Sequence, residues 1–144
     1  MEISTMGKVA VPAKIENLTD LWKVDEGILP ADEVRSLEVS DAVVDTAATF
    51  LSMPRRMIAT LGLRPFQTRS ARTTAGVREV PIYGLVRLTI QGRQCRVDVA
   101  ELPDDCPVLI GQLPLEQLDF IVDPVGQRLL GNPDHGGEQM LDLL

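Results

Sequence analysis

The sequence predicts an all-β chain: a small closed or half-closed barrel with two short helices. Three observations point there. Apolar residues alternate with polar ones over several short runs, the period of a strand with one buried face. The 11 glycines and 10 prolines interrupt the 144 residues often, which suits strands joined by turns better than long helices. The chain is 44% hydrophobic but only 3% aromatic, so its core must be built from Val, Leu, Ile, Ala and Met. The length fits a single domain over residues 1–144.

The first strand follows from Val9, Val11, Ala13 and Ile15, which alternate with Lys8, Ala10, Pro12 and Lys14. Pro12 lacks an amide donor and suggests an edge position. "ENLTDLWKVDEGILPADE" reads as a polar excursion that packs Leu21 and Trp22 on the surface. Val34, Leu37 and Val39 open a second strand running into "DAVVDT". "SMPRRMIATLGL" predicts a helix, with Ser52 as cap, Pro54 in the first turn, Met57, Ile58 and Leu61 inward, and Gly62 as the stop. From Phe66 strands return. A hairpin turns at Ala75-Gly76; "LVRLTI" points Val86, Leu88 and Ile90 to one side; Gln91-Gly92 turns the chain again. "QCRVDVAEL" then puts Cys95, Val97 and Val99 inward. "PVLIG" is a short apolar strand, "PLEQLDF" a short helix from Pro114, and "IVD" with "RLL" a last hairpin around "PVGQ". The tail is loop-like as far as Met140–Leu144.

Formal net charge is -7, the opposite of the basic footprint of a nucleic-acid binder. Arg55, Arg56, Arg64, Arg69, Arg72 and Arg78 nevertheless fall close together. A solvated face is the plain reading of them, and a contact with a peptide substrate or partner is the other. Cys95 and Cys106 form no CxxC pair, and the single histidine, His135, cannot complete a zinc set with them. Without an apolar leader they read as reduced thiols in a cytoplasmic protein. No run approaches membrane-span length. No phosphate-cradling glycine loop is present, and neither Asp134 nor Glu138 stands at a metal-ligand spacing from His135. Neither a metal nor a cofactor is expected.

Asp45 is the residue to explain. "VVDTAATFLSMP" (43–54) drives a carboxylate into the end of an apolar strand. The plain reading is a turn cap accepting backbone N–H bonds. The other reading is chemical. A partly buried carboxylate with a hydroxyl beside it (Thr46) and small residues around it (Ala47, Ala48) is half of an acid–base pair. Two such carboxylates on a two-fold axis share one proton and activate a water against a peptide carbonyl.

These residues resemble the Asp-Thr-Gly-Ala motif of the retropepsin-like aspartic proteases (clan AA). "PVLIGQLPLEQLDF" is similar to that family's apolar-apolar-Gly segment and following helix, and Thr73 to Gly76 stand where the family has its flap. The ordered set covers about residues 34–123, leaving an N-terminal strand and excursion (8–33) and a C-terminal tail (131–144). The resemblance implies a closed acid-protease barrel and an endopeptidase without a cofactor. Asp45 would be the catalytic carboxylate and Thr46 the lock between two catalytic loops. Ala47 and Ala48 would floor the cleft, and Thr73, Thr74, Ala75 and Gly76 would close over substrate. Leu109, Ile110 and Gly111 would support the loop from behind. The Asp loop occurs once, so the implied enzyme is a homodimer acting on a peptide or protein. One position departs from the family: Ala47 stands where it has glycine. That leaves an alternative, a weak or inactive dimerisation or peptide-binding module on the same fold.

Overall fold

The structure, a computed structural model, describes residues 9–123 and 125–143. Lys8 of the expected first strand, Pro124 of the expected "PVGQ" turn and Leu144 at the tail's end lie outside these residues.

In chain order the elements are β1 (Val9–Asn17), α1 (Leu18–Asp25), β2 (Ser36–Val44), β3 (Leu51–Pro54), α2 (Arg55–Leu61), β4 (Arg64–Thr73), β5 (Gly76–Ile90), β6 (Arg93–Leu102), β7 (Leu109–Ile110), α3 (Gln112–Leu118), β8 (Phe120–Asp123) and β9 (Arg128–Gly131). Strands β1-β2-β7-β3-β6-β5 are joined in that order, and β1 also pairs with β5, so the sheet closes on itself. β4 extends it as an arm bonded to β5, and β8 and β9 form a separate hairpin. The all-β fold class is thus observed.

The alternation in the sequence is what fills the ring. Val9, Val11, Ala13 and Ile15 from β1, Val86, Leu88 and Ile90 from β5, and Val97 and Val99 from β6 are buried in one cluster. Ile58 and Leu61 of α2, with Leu115 and Leu118 of α3, join the same cluster. Burying one such side chain contributes about 2 kcal/mol. Closure carries a polar contact too. Glu16 faces Arg87 across the β1–β5 seam, and the guanidinium lies 2.8 Å from the carboxylate.

Three local expectations are corrected, and that for Pro12 stands: β1 pairs with β5 only over Lys14–Asn17, so Pro12 lies on a stretch bonded to β2 alone, and it sits where the β1–β2 register shifts between Val11 and Ala13. A bulge tolerates the missing donor as well as an edge does. Ser52 caps nothing. It is buried in β3, which pairs with both β6 and β7 and buries Leu51 and Met53 completely. That pairing delays α2 until Arg55, although Gly62 does end it, in the left-handed conformation at φ 64°. The polar excursion contains helix α1, whose Asn17 side chain accepts from the Asp20 amide at 3.0 Å as an N-cap. Trp22 is 45% exposed on it. Finally, α3 begins at Gln112, two residues before Pro114.

The β4–β5 hairpin differs from the rest of the sheet. Relative to β6, β5 gains a residue between Tyr83 and Val86. At the same level β4 gains one between Pro65 and Gln67. A one-residue slip exchanges the faces of a strand. Below it, Val86 and Leu88 enter the main core. Above it, Val80 and Ile82 build a second cluster with Ala100, packed on Phe50 and Ala71. Two bulges side by side also bend and twist the hairpin at its root.

Candidate functional site

The segment carrying Asp45 is held almost entirely by backbone. β7 lies between β2 and β3, parallel to the first and antiparallel to the second. The loop 45–50 leaves β2 and must return around β7 to reach β3. The Val43 amide donates to Val108 O (2.8 Å) and the Asp45 amide to Ile110 O (3.0 Å). On the return side the Gly111 amide donates to Phe50 O (3.1 Å), Gln112 to Ala48 O (2.8 Å) and Leu113 to Thr49 O (3.0 Å). The last two are helix-start amides of α3 with no partner within their own helix. The loop's carbonyls therefore satisfy α3, and α3 fixes the loop. A Cβ at Gly111 would lie 2.5 Å from Phe50 O and 2.7 Å from Ala48 O, so the approach needs glycine although its φ of -86° does not.

Within this frame Asp45 is half-buried, and Thr46 and Ala47 are exposed at the loop's crest. The Ala47 amide donates to the Asp45 carboxylate at 3.0 Å, and the Ala48 amide donates to the Asp45 carbonyl at 3.1 Å. The carboxylate is oriented by its own loop, with one oxygen engaged. Ala47 is not among the described non-glycine residues with positive φ, which are Gln91, Asp119 and Gln127. Its Cβ is unstrained.

Leu109, Ile110 and Gly111 sit directly behind the loop; Thr73 to Gly76 form the tip of the β4–β5 hairpin. There the Thr73 hydroxyl lies 2.7 Å from Gly76 O and accepts from the Ala75 amide at 3.2 Å, with Gly76 at φ 108°. The tip is exposed throughout. Phe50, which the sequence did not single out, and Arg69, which it read only as one of an arginine cluster, join hairpin and loop. Phe50 ends the Asp45 loop and packs against Ala71, Val80 and Ile82 of the arm. The Arg69 guanidinium stands over its ring, 5.5 Å from the centroid. An aromatic five residues before a helix, in a chain with 3% aromatics, was the available signal for Phe50.

His135 lies in another cluster. It contacts Asp119 Oδ2 at 2.5 Å and Asp142 at 3.2 Å, not its neighbour Asp134. Among the described residues no group of three or more His, Cys, Asp and Glu side chains could hold a metal ion. No helix among them is long and apolar enough to cross a membrane.

A closed sheet, an Asp-Thr loop wrapped around a short central strand, and a glycine that admits the loop's backbone are together the frame of an acid protease. The profile of an aspartyl protease family matches residues 33–131. The chain belongs to this family, within the retropepsin-like clan. The match takes in the Asp45 loop, the arm, β7 with Gly111, and α3. A comparison with curated proteins found no match.

Proposed function

We propose that this aspartyl protease family member is an endopeptidase that works as a homodimer. One Asp45 from each protomer forms the catalytic pair. The reading rests above all on the half-buried Asp45 carboxylate at the crest of a backbone-clamped loop, oriented but not consumed by its own chain. One such acid per chain makes half a site. Across a two-fold axis two carboxylates within hydrogen-bond reach share a single proton. The ionised one takes a proton from a bound water, whose oxygen attacks the peptide carbonyl carbon while the protonated one donates to the carbonyl oxygen. Collapse of the tetrahedral species breaks the C–N bond and returns a proton to the amine. In this reading Thr46 ties the two loops together, Ala47 and Ala48 floor the cleft, and Thr73 to Gly76 act as a flap that closes over substrate and excludes water. Leu109, Ile110 and Gly111 are supporting residues. The unstrained backbone at Ala47 favours a working enzyme over an inactive module.

The test is cleavage of a peptide library by wild type and by Asp45→Asn, with sedimentation alongside. The expected result is cleavage by the wild-type dimer, bell-shaped on the acidic side of neutrality, and none by the variant. Mixing the variant into wild type should depress activity more steeply than dilution does, because mixed dimers lack one carboxylate. Equal cleavage by both proteins, or a monomer that cleaves, would overturn the proposal.

A further inference from the structure

The arm, which packs on Phe50 at the end of the Asp45 loop, carries charge of the opposite sign to the chain. Residues 64–80 hold Arg64, Arg69, Arg72 and Arg78 against one acid, Glu79, a net +3 where the whole chain carries -7. Their distribution over the two faces of the hairpin is not even. Residues opposite each other in an antiparallel pair share a face, and alternate pairs share the same one. Arg69 is opposite Val80, and Ala71 is opposite Arg78. Ala71 and Val80 pack on Phe50, so the face bearing Arg69 and Arg78 is the one turned toward the loop. Ser70 with Glu79, and Arg72 with Val77, share the other face. There the Ser70 hydroxyl donates to the Glu79 carboxylate at 2.7 Å. The inner face of the arm thus has two arginines and no carboxylate.

Ion pairs among the described residues involve Glu16, Asp20, Asp119, Asp123 and Asp142, none of them with an arm arginine. Arg78 also borders a groove with Arg55 and three acids, Glu79, Glu101 and Asp104, which offset part of its charge. Among the described residues Arg69 has no ion-pair partner and stands over the Phe50 ring, which holds a guanidinium in place without neutralising it. It is therefore a positioned cation with unused donors, beside the residue that closes the Asp45 loop.

We infer that the substrates are acidic peptides, and that Arg69, assisted by Arg78, is the residue that selects an Asp or Glu side chain flanking the scissile bond. The inference rests on the peptidase reading above and names its substrate class. A peptide strand passing between arm and loop runs along this face. A carboxylate on it gains a charge-assisted bond to Arg69 that is strengthened as the closing arm removes water.

The probes are short fluorogenic peptides with an apolar central pair and Glu, Gln or Lys at the flanking positions. Cleavage is measured with wild type, and binding separately, by fluorescence polarisation, in an Asp45→Asn background. Wild type should favour Glu over Gln by about five- to tenfold in kcat/KM at low salt, and Gln over Lys, with the spread shrinking as salt rises. The preference should also vanish below about pH 4, where the substrate carboxylate protonates. Arg69→Gln should remove it and Arg69→Glu should reverse it toward Lys. Arg72→Glu makes the same charge change on the outer face and should leave the order intact. Equal binding of the three peptides would overturn the inference, as would an Arg72→Glu effect as large as that of Arg69→Glu. Glu-selective binding without any cleavage would support it while removing the peptidase reading.

Discussion

The amide nitrogen of Gly111 lies 3.1 Å from the carbonyl oxygen of Phe50, and a Cβ at position 111 would lie only 2.5 Å from that same oxygen. The atoms a methyl would meet are the backbone oxygens of Phe50 and Ala48 and the Thr49 carbonyl carbon, so no flexible side chain can yield. Gly111→Ala should cost about 1–3 kcal/mol. It should also depress cleavage beyond what the lost stability explains, since the displaced atoms belong to the Asp45 loop. Urea denaturation paired with activity on the residual folded fraction checks this. An unchanged midpoint would show that the loop is not held at this point.

Ala47 gives the opposite expectation. It is exposed, and its φ lies outside the left-handed region, so a Cβ there is tolerated. Ala47→Gly gains nothing in the folded state and frees the unfolded chain, and should lower stability by about 0.5–1 kcal/mol. Turnover should stay close to the wild-type value. A large rise in kcat/KM for the glycine variant would mean that the methyl obstructs substrate.

The C-terminal tail should be held in a pH window. Asp119 caps α3 in the left-handed conformation at φ 60° and is buried. It receives His135, the Asn132 side chain (3.1 Å) and the Met140 amide (3.1 Å). Its bond with His135, above all, brings its pKa down from 3.8 to about 2. The His135 pKa is raised above 6.5 by Asp119 first and Asp142 second. A raised histidine stabilises fully below its unfolded value and loses that contribution as pH rises through the folded one. A depressed carboxylate stabilises above its unfolded value and loses it as pH falls. The tie is therefore strongest between about pH 4 and 6.5 and fades on both sides. Hydrogen exchange at the Met140 amide, corrected for its intrinsic pH dependence, should show greatest protection there. In His135→Ala the loss of protection above pH 6.5 should disappear.

The two thiols should react very differently. Burial in β6 pushes the Cys95 thiol up to about 11, and its side chain packs against the main core. Cys106 is partly exposed like Cys95, but it lies in the β6–β7 connection and is not among the residues packed on the main core. Iodoacetamide at pH 8 should label Cys106 and spare Cys95 until the chain unfolds. Mass spectrometry of native and denatured samples reads the difference.

Much of the ring was legible because its strands have one wet face. Val86, Leu88 and Ile90 alternate cleanly, and the chain turns at Gln91 and Gly92 with φ of 50° and 79°, the second as glycine suggests. Asp45 and Gly111 could be picked out because a carboxylate in an apolar run and a glycine after one are local anomalies. Three features depend on distant partners. Nothing within 52–54 says that β6 and β7 will claim Ser52 for a strand before it can cap α2. Pro12 suits the stretch of β1 bonded on one side only, but the bulge beside it shows only once β2 is laid against β1. The pairing of Arg69 with Phe50 needs the two bulges that turn the arm, and those are visible only in the register of three strands.

The arm has one more consequence. β4 is bonded on one side only, so an edge of up to ten residues is open to a stray strand, the usual seed of aggregation. Pro65 interrupts its donors, the bulge at Phe66 spoils its straightness, and Arg64, Arg69 and Arg72 would repel a second copy laid alongside. The same cations that would welcome an acidic peptide also keep two arms from zipping together. An arm neutralised to broaden its diet should therefore become sticky as well as indiscriminate.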